Sequence, residues 1–444
     1  MPAANPPADP AVRPVSSWGR VSCELHRVQP LRDRSHLVLE ASADDPALPY
    51  GNGRSYGDAC LNPGGRLWMT RGLDRFIAFD TSTGVIECEA GVLLDEIITV
   101  ALPRGWFLPV TPGTRYATLG GAIANDVHGK NHHRSGTLGE HVRSLLLART
   151  DGSRIECSPA RQPDWLAATI GGLGLTGVIV SARVQLKPVP GEWMLTETLT
   201  FNTLADFFRL SRESERGWEY VVSWVDCVHG RGLDTRGIFF RANHVAHAAV
   251  APTLRERSMP VTPPVSLINR ASLRAFNEAY FLANRLRSGR RLQHLLPFFY
   301  PLDGVRDWNR IYGPRGFFQY QCVVPRAGEI EATAELMKAI HASGRGSFLA
   351  VLKTFGDRSP AGMLSFPLEG TTLALDFPNE GERTERLFSR LDAIVGHAGG
   401  RLYPAKDARM GRELFHQGYP RLLEFLPYRD AGISSAMSRR LLGS

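Results

Sequence analysis

No run of about 18 or more apolar residues occurs in the sequence, so it predicts no membrane-spanning helix. The chain also has no C-x-x-C pair and no H-E-x-x-H motif, which removes the common zinc-site signatures. Its six cysteines are scattered without short spacings. This distribution is typical of buried thiols in a cytosolic protein and argues against a disulfide framework.

The amino terminus, "MPAANPPADPAVRPV", has neither the basic start nor the apolar stretch of a secretory signal peptide. We therefore expect residues 1–14 to form a disordered leader. Synthesis and folding in the cytoplasm follow from the same observation as an expectation.

Lysine is scarce in a chain that is otherwise basic. The formal net charge is +8, and of 52 lysines and arginines only five are lysines: Lys130, Lys187, Lys338, Lys353 and Lys406. The charge favours an anionic partner such as nucleic acid, membrane lipid or a phosphorylated substrate. Because the charge is spread and no basic–aromatic platform is visible, we expect no nucleic-acid partner. Lysine and arginine are not interchangeable, so these few lysines indicate positions that need a compact ammonium group.

The length of 444 residues predicts two domains, and the composition, 43% hydrophobic and 22% charged, is that of a soluble globular protein. From about residue 36, short apolar strands alternate with glycine-rich turns. Around Pro188–Pro190 the pattern changes to longer strands and amphipathic helices. We expect an antiparallel sheet there, with helices near 329–343 and 383–398 on one face. The predicted fold class is α+β.

Three local patterns give sharper predictions. Residues 93–102 have the apolar periodicity of a helix that Pro103 ends. Asp151-Gly152 lies between two apolar runs and predicts the tip of a β-hairpin. The Pro-rich segment 251–269 predicts a mobile loop.

The stretch "GAIANDVHGKNHH" places His128, His132 and His133 within six positions. Such spacing would suit zinc on a helix, but Gly129 and Asn131 weaken a helix there. We therefore expect no metal site, and the histidines need another explanation.

Glycine and small polar residues are dense in segments 51–65, 112–131 and 171–177. Glycine lets backbone N–H groups approach a bound anion closely, as pyrophosphate binding requires. None of the segments has the spacing of the nicotinamide-binding fingerprint. Tight turns without a ligand are the alternative interpretation of each segment alone.

The motifs "GNGRSYGD" (51–58), "PGTRYATLGGAIANDVHGKNHH" (112–133) and "GGLGLTGVI" (171–179) resemble the flavin-binding domain of the vanillyl-alcohol-oxidase superfamily. Later motifs resemble one of its families, the decaprenylphosphoryl-β-D-ribose 2′-oxidases: "WNRIYGPRGFFQYQCVVP" (308–325), "SFLAVLKTFG" (347–356), "LDFP" (375–378) and "RLYPAKDAR" (401–409). The resemblance implies a two-domain fold: an FAD-binding PCMH-type domain (15–190), a substrate-binding domain (191–400) and a C-terminal segment (401–444) that returns to the FAD domain.

The resemblance implies an FAD-dependent oxidoreductase that acts on CH–OH donors. Its expected reaction is oxidation of the 2′-hydroxyl of a polyprenyl-phosphoryl-β-D-ribose to the 2-keto sugar. This is the first half of the epimerisation that supplies the arabinose donor for cell-envelope arabinan. An NAD-dependent keto-reductase is the implied partner. The alternative is a soluble sugar or alditol oxidase of the same superfamily that uses dioxygen.

A lipid-linked substrate also implies peripheral contact with the inner membrane. The segment "RLRSGRRLQHLLPFF" (285–299) has the expected character, since basic residues precede apolar ones. It supplies Arg285, Arg287, Arg290 and Arg291, and then Leu295, Leu296, Phe298 and Phe299. An ordinary helix of the substrate domain is the alternative.

Residue by residue, the resemblance implies the following sites. FAD would contact Gly53, Arg54, Ser55, Tyr56, Gly57, Asp58, Gly113, Thr118, Leu119, Gly120, Gly121, Asn125, Asp126, Val127, His128, Ile179 and Tyr403. The substrate would contact Trp224, Tyr320, Gln321 and Lys353. Lys406 would stabilise the negative charge that a reduced flavin gains near N1. The proton acceptor stays open between His128, Lys406 and Tyr56.

Two departures from the family patterns have consequences. Many superfamily members attach FAD covalently through a histidine of the first loop, where this chain has Tyr56. We therefore expect noncovalent FAD. Ala374 stands where the resembled family has a cysteine that covalent nitroaromatic inhibitors capture, so that capture should fail here.

Overall fold

The structure, a computed structural model, describes residues 11–230, 232–249 and 257–443. Two sheets form the first part of the described chain. The first has the order β1-β2-β4-β3, from β1 (Ala11–Ser16), β2 (Cys23–Pro30), β3 (Ala47–Tyr50) and β4 (Arg66–Met69). Residues 1–10 of the expected leader lie outside the described residues. The prediction is wrong for residues 11–14, because β1 pairs with β2 along its length.

The second sheet has the order β5-β6-β10-β8-β9. Its strands are β5 (Phe76–Asp80), β6 (Val85–Glu89), β8 (Val142–Ala148), β9 (Arg154–Cys157) and β10 (Val178–Gln185). The predicted hairpin at Asp151-Gly152 is confirmed, since β8 and β9 pair antiparallel on either side of it. The short strands β7 (Trp106–Phe107) and β11 (Lys187–Pro188) pair with each other.

Short helices connect these strands and include α1 (Leu94–Ala101), α2 (Leu119–Ala124), α3 (His132–Ser135) and α4 (Pro163–Thr169). The helix predicted over 93–102 is confirmed as α1. Its buried residues Leu94, Ile97, Ile98 and Ala101 recur at helical spacing. Pro103 ends it by starting the 3₁₀ turn Leu102–Arg104.

A large antiparallel sheet forms most of the second part, with the order β16-β12-β14-β13-β19-β20-β18-β21 in the described residues. Its strands are β12 (Trp193–Phe201), β13 (Tyr220–Val225), β14 (Gly237–Val245), β16 (Gly289–His294), β18 (Phe317–Pro325), β19 (Ala350–Phe355), β20 (Gly370–Pro378) and β21 (Arg401–Leu402). A small parallel pair joins β15 (Arg257–Ser258) to β17 (Val305–Arg306).

One face of this sheet is covered by α5 (Leu204–Ser214), α8 (Glu329–Ala342) and α9 (Glu382–His397). The helices predicted near 329–343 and 383–398 are therefore confirmed. The prediction that the helices lie on one face of the sheet is wrong, because α6 (Arg270–Leu286) packs on the other face. There Phe281 contacts Trp224 and Ile238, which alternate along their strands with residues of the first face.

The segment 285–299 divides between three elements: the end of α6, the edge strand β16 and α7 (Leu295–Phe299). The apolar residues Leu295, Phe298 and Phe299 are buried, so they do not form the membrane-facing surface expected from the sequence. Of the expected mobile loop, residues 251–256 lie outside the described residues. In the described ranges, no helix is both long enough and apolar enough to cross a membrane.

The C-terminal segment contains α10 (Arg412–Gly418), α11 (Leu422–Phe425) and α12 (Ala436–Leu442). Arg440 in α12 forms ion pairs with Asp58 of the first part and with Asp407. Ile433 forms a β-bridge with Ala47 in β3. We propose domain boundaries near residues 190 and 400. The first is supported because the strands from β12 onward belong to other sheets, and the second by the contacts of the C-terminal segment with the first part.

Candidate active site

A cavity of about 760 Å³ lies between the glycine-rich loops of the first part and the face of the large sheet that carries Trp224. Seventeen predicted site residues line it: Gly53, Arg54, Ser55, Tyr56, Gly113, Thr118, Gly120, Gly121, Asn125, Val127, His128, Ile179, Trp224, Gln321, Lys353, Tyr403 and Lys406. Residues separated by more than 350 positions in the sequence thus meet at one site.

The glycine loops leave space for a ligand. A Cβ placed on Gly113 or Gly174 would meet no described atom within 4 Å, although both residues line the cavity. Gly53 has φ +59°, a conformation that favours glycine and turns the first loop toward the cavity. In the same loop, the buried Nε of Arg54 has no hydrogen-bond partner among the described residues. Open space beside the glycines, together with a guanidinium N–H that has no partner, fits a bound anionic cofactor such as FAD.

His128 lies where the flavin loops meet the sheet. Its Nε2 is 2.9 Å from the amide nitrogen of Gln321 on β18, and its Nδ1 is 3.3 Å from Nζ of Lys353 on β19. Burial, and then the charge of Lys353, lowers the pKa of His128 well below its usual value. The imidazole is therefore neutral at physiological pH.

The three neighbouring histidines do not converge. His132 Nδ1 accepts from the backbone of Gly356 at 3.2 Å, and His133 Nε2 donates to the carbonyl of Trp218 at 3.0 Å. Within the described residues, no group of three or more His, Cys, Asp or Glu side chains is placed to hold a metal ion. The histidine cluster therefore belongs to the turn that positions His128.

Three of the five lysines, Lys130, Lys353 and Lys406, line the cavity. Burial lowers the pKa of Lys130 and of Lys353 to about 7, with further contributions from neighbouring charges. Lys130 Nζ donates to the carbonyls of Phe298 and Phe299, at 2.7 and 2.8 Å. These bonds connect the turn at residues 128–131, called the flavin turn below, to the end of α7. Lys353 Nζ donates to the carbonyl of Gly129 at 3.3 Å and stays free to face the cavity.

Lys406 lies beside the aromatic ring of Tyr56, and its charge contributes to the lowered pKa of Lys353. Burial lowers its pKa to about 8, and the carboxylate of Asp376 opposes that shift. Asp376 is fully buried on β20, and burial raises its own pKa to about 7. Gln319 Nε2 donates to Asp376 Oδ1 at 2.6 Å, whereas Oδ2 has no hydrogen-bond partner among the described residues.

Two residues of the site were not predicted from the sequence: Gln319, which lines the cavity, and Asp376, which is hydrogen-bonded to it. Both lie in the motifs that carry the family resemblance, and a signal was present for each. Asp376 is the single acid in the otherwise buried strand "GTTLALDFP". Gln319 lies two positions from Gln321 and therefore on the same face of β18.

Five predicted residues do not line the cavity. Tyr320 points to the helical face of the sheet and donates to Asp392 at 3.1 Å, because strand residues alternate and its neighbours Gln319 and Gln321 face the cavity. Leu119 is fully buried in the core of the first part. The predictions of direct ligand contact are therefore wrong for these two residues.

Gly57, Asp58 and Asp126 have supporting contacts instead. A Cβ on Gly57 would overlap the carbonyl of Asp407, so glycine allows the first loop to approach the C-terminal segment. Asp58 pairs with Arg440, as described above. Asp126 Oδ1 accepts from the backbone of Gly139 at 2.9 Å, and Oδ2 accepts from Ser365. These residues shape the flavin loops without contacting the ligand space.

The comparisons with known proteins agree with this geometry. Residues 33–158 match the FAD binding domain family. The chain is 34% identical to the decaprenylphosphoryl-β-D-ribose oxidase of Mycolicibacterium smegmatis over 96% of its own length and 97% of the relative's. The chain belongs to that oxidase family. It is a flavoprotein, an FAD-dependent oxidoreductase with the two-domain α+β fold of the vanillyl-alcohol-oxidase superfamily.

Other relatives of this oxidoreductase cover the chain to different extents. A protein of Streptomyces coelicolor, described as lying in the mprA 5′ region, is 31% identical over 79% of this chain and 100% of its own. Cytokinin dehydrogenase 6 of Oryza sativa is 27% identical over 49% of this chain and 45% of its own. The likeness to the M. smegmatis oxidase thus extends through the large sheet as well as the flavin loops.

Proposed function

We propose that this oxidoreductase oxidises the 2′-hydroxyl of a polyprenyl-phosphoryl-β-D-ribose to the corresponding 2-keto sugar. The observation that carries the proposal is a cavity that joins the flavin loops to the polar wall of Gln321, Lys353 and His128. Near full-length likeness to an oxidase named for decaprenylphosphoryl ribose supports it, because the similarity includes the strands of that wall.

Bound FAD would be held by the first loop, the turn around His128 and Tyr403, and would supply the acceptor for the hydride that leaves C2′. The protein must then remove the hydroxyl proton. Burial raises the pKa of Tyr56 well above its usual value, so its phenol stays protonated. His128 is a weak base for the reason given above. Lys353, with a pKa near 7, is the group best matched to accept that proton at neutral pH.

Hydrogen bonding around His128 favours the same assignment. The amide N–H of Gln321 donates to Nε2, so the single proton of the neutral imidazole lies on Nδ1, facing Lys353. That arrangement stabilises the neutral amine of Lys353, which is the form that can take a proton. Lys406, beside Tyr56, supplies a fixed positive charge.

Two further parts of the proposal follow from the chemistry of substrate and product. Reduction of the 2-keto product to the arabinose epimer requires a second enzyme, and we infer an NAD-dependent keto-reductase as the partner. A polyprenyl tail stays in lipid, so we also infer peripheral contact with the inner membrane. The soluble sugar or alditol oxidase remains the competing hypothesis.

Anaerobic mixing with farnesylphosphoryl-β-D-ribose, a short analogue, tests the reaction. The flavin absorbance should bleach, and mass spectrometry should detect a product lighter by two hydrogens. The 2′-epimer, farnesylphosphoryl-β-D-arabinose, is the matched control and should bleach the flavin far more slowly. Bleaching by free sugars or alditols, with none by the phosphoryl ribose, would overturn the proposal in favour of the competing hypothesis.

A further inference from the structure

Helix α6 is apolar on two opposite faces. One face packs on the sheet through Leu273, Asn277 and Phe281, which are buried. The opposite face carries an outer stripe of exposed small and apolar residues, which recur at spacings that place them on one side of a helix: Ala271, Ala275, Ala279, Leu282 and Leu286. Leu286 is 80% exposed and Leu282 is 50% exposed. A surface helix of a water-facing protein normally places charged and polar residues there.

More exposed apolar side chains lie in the segment that precedes α6. They are Val261, Val265 and Leu267, with exposed fractions of 64%, 66% and 47%. Phe276, on the flank of α6, is also exposed and stacks on Tyr280. Apolar residues scattered singly over a surface need no explanation, but a stripe of small and apolar residues along one exposed helix face marks an interaction site.

The charge around the outer stripe indicates which partner it fits. Arg270, Arg274, Arg285 and Arg287 are exposed, and none of them forms an ion pair with another described residue. The one acid of the helix, Glu278, is paired with Arg236. An apolar helical face flanked by unpaired arginines has the composition of an interfacial helix that lies on an anionic bilayer.

The side of α6 that faces away from the outer stripe contributes to the cavity wall. Tyr280 and Asn284 of the same helix line the cavity, and so does Arg291 on β16, which is exposed to solvent as well. α6 therefore separates the ligand space from the outer stripe by the thickness of one helix.

We propose that α6 docks its outer stripe into the headgroup region of an anionic membrane and so holds the cavity wall that it forms close to the lipid surface. The proposal rests on the proposed function, because only a lipid-linked substrate such as a polyprenyl-phosphoryl ribose requires the cavity to lie close to the bilayer. The lipid tail remains in the bilayer while the phosphoryl ribose passes α6. The docking surface is the outer stripe with its flanking arginines, and not the buried apolar residues of α7.

Sedimentation of the FAD-bound, full-length protein with vesicles tests the docking surface without substrate. Wild type should partition onto phosphatidylglycerol-containing vesicles, and less onto pure phosphatidylcholine. Arg285→Gln with Arg287→Gln should weaken the partition about tenfold or more, since each basic residue near an anionic leaflet contributes appreciably. Leu282→Gln with Leu286→Gln should also weaken it, at low and at high salt alike, because apolar contact is not screened.

Matched controls come from other faces of the molecule. Arg383→Gln with Arg390→Gln changes two exposed arginines of α9, on the opposite side of the sheet. Leu423→Gln changes a leucine that is 78% exposed on α11. Both controls should partition like wild type. Equal partition by the α6 variants and wild type would overturn the proposal.

Two outcomes separate this inference from its premises. Every α6 variant should keep the wild-type rate of flavin bleaching with the short phosphoryl-ribose analogue. No bleaching by any variant or by wild type, together with α6-dependent vesicle binding, would overturn the proposed substrate and support the docking surface. Self-association that Leu282→Gln with Leu286→Gln abolishes, without vesicle binding by wild type, would show that a second copy covers α6 and would overturn the membrane proposal.

Discussion

Lys406 Nζ lies 3.9 Å from the centroid of the Tyr56 ring, so a buried ammonium group faces the aromatic side chain of the first flavin loop. A cation over an aromatic face is attracted by the ring, more strongly when water is excluded. The two segments are also joined through the backbone, because Tyr56 N donates to the carbonyl of Ala405 at 3.1 Å. The first loop and the C-terminal segment therefore hold one positive charge at the cavity wall.

Removal of that charge should slow flavin reduction. We expect Lys406→Ala to retain FAD and to lose about 10²-fold or more of the rate at which substrate reduces the flavin, because a preorganised charge is lost. Stopped-flow absorbance under anaerobic conditions measures that rate. Lys338→Ala, an exposed lysine on α8, is the control. A Lys406→Ala enzyme that bleaches at the wild-type rate would contradict the role of Lys406.

Asp376 should act through Lys406. Its carboxylate raises the pKa of Lys406 against the effect of burial, so Asp376→Asn should lower that pKa. The charged form would then be lost at a lower pH. We expect the alkaline decline in the rate of flavin reduction to shift toward neutral pH in profiles recorded from about pH 6 to pH 9. Asp164→Asn, on the exposed side of α4, should leave the profile unchanged. A uniform rate loss with no shift would indicate a purely structural role for Asp376.

FAD should be bound without a covalent link. Tyr56 lies where many superfamily members have the tethering histidine, and His128 is engaged with Gln321 and Lys353. Acid precipitation should therefore release all the yellow colour into the supernatant, with the mass of unmodified FAD. Yellow colour that stays with the protein pellet would refute this prediction.

The buried ammonium of Lys353 should make stability depend on pH. Burial lowers its folded-state pKa to about 7, from the ordinary lysine value of 10.5. Between those two values the unfolded chain binds one more proton, so the free energy of unfolding should rise with pH, by up to about 1.4 kcal/mol per pH unit. Lys353→Met should flatten that rise in denaturant titrations above neutral pH, and Lys338→Met should not. An unchanged slope would show that Lys353 keeps an ordinary pKa.

The sequence patterns located the site because its loops are local in sequence. The turn at His128, the first loop with Gly53 and Tyr56, and the strand around Lys353 are each short motifs, and all of them reach one cavity. The scarcity of lysine was also informative, since three of the five lysines line that cavity. Such motifs are readable from the sequence because the backbone path and the chemistry depend on the same few residues.

The sequence patterns failed where a side chain's direction decides its role. Tyr320 and Gln321 are adjacent, and the two-residue alternation of a strand sends them to opposite faces of the sheet. The apolar half of 285–299 suggested a membrane surface, yet Phe298 and Phe299 are buried beneath the flavin turn and accept hydrogen bonds from Lys130. The two apolar faces of α6 could not be told apart from the sequence. Knowing which face packs on the sheet, and which is left exposed, requires the order of the strands beneath the helix.

Ala374 should decide whether the enzyme is captured by covalent nitroaromatic inhibitors. Its position on β20 faces the cavity, opposite Gln321 on β18 and Val351 on β19. A cysteine there would line the same cavity as Lys353, whose ammonium form would favour the reactive thiolate. We expect Ala374→Cys to form an inhibitor adduct on the intact protein, detected by mass spectrometry, and the unmodified enzyme to form none. Cys322→Ser controls for the native thiol on β18, which is buried on the helical side of the sheet. Adduct formation by the unmodified enzyme would contradict the assignment of inhibitor capture to this one position.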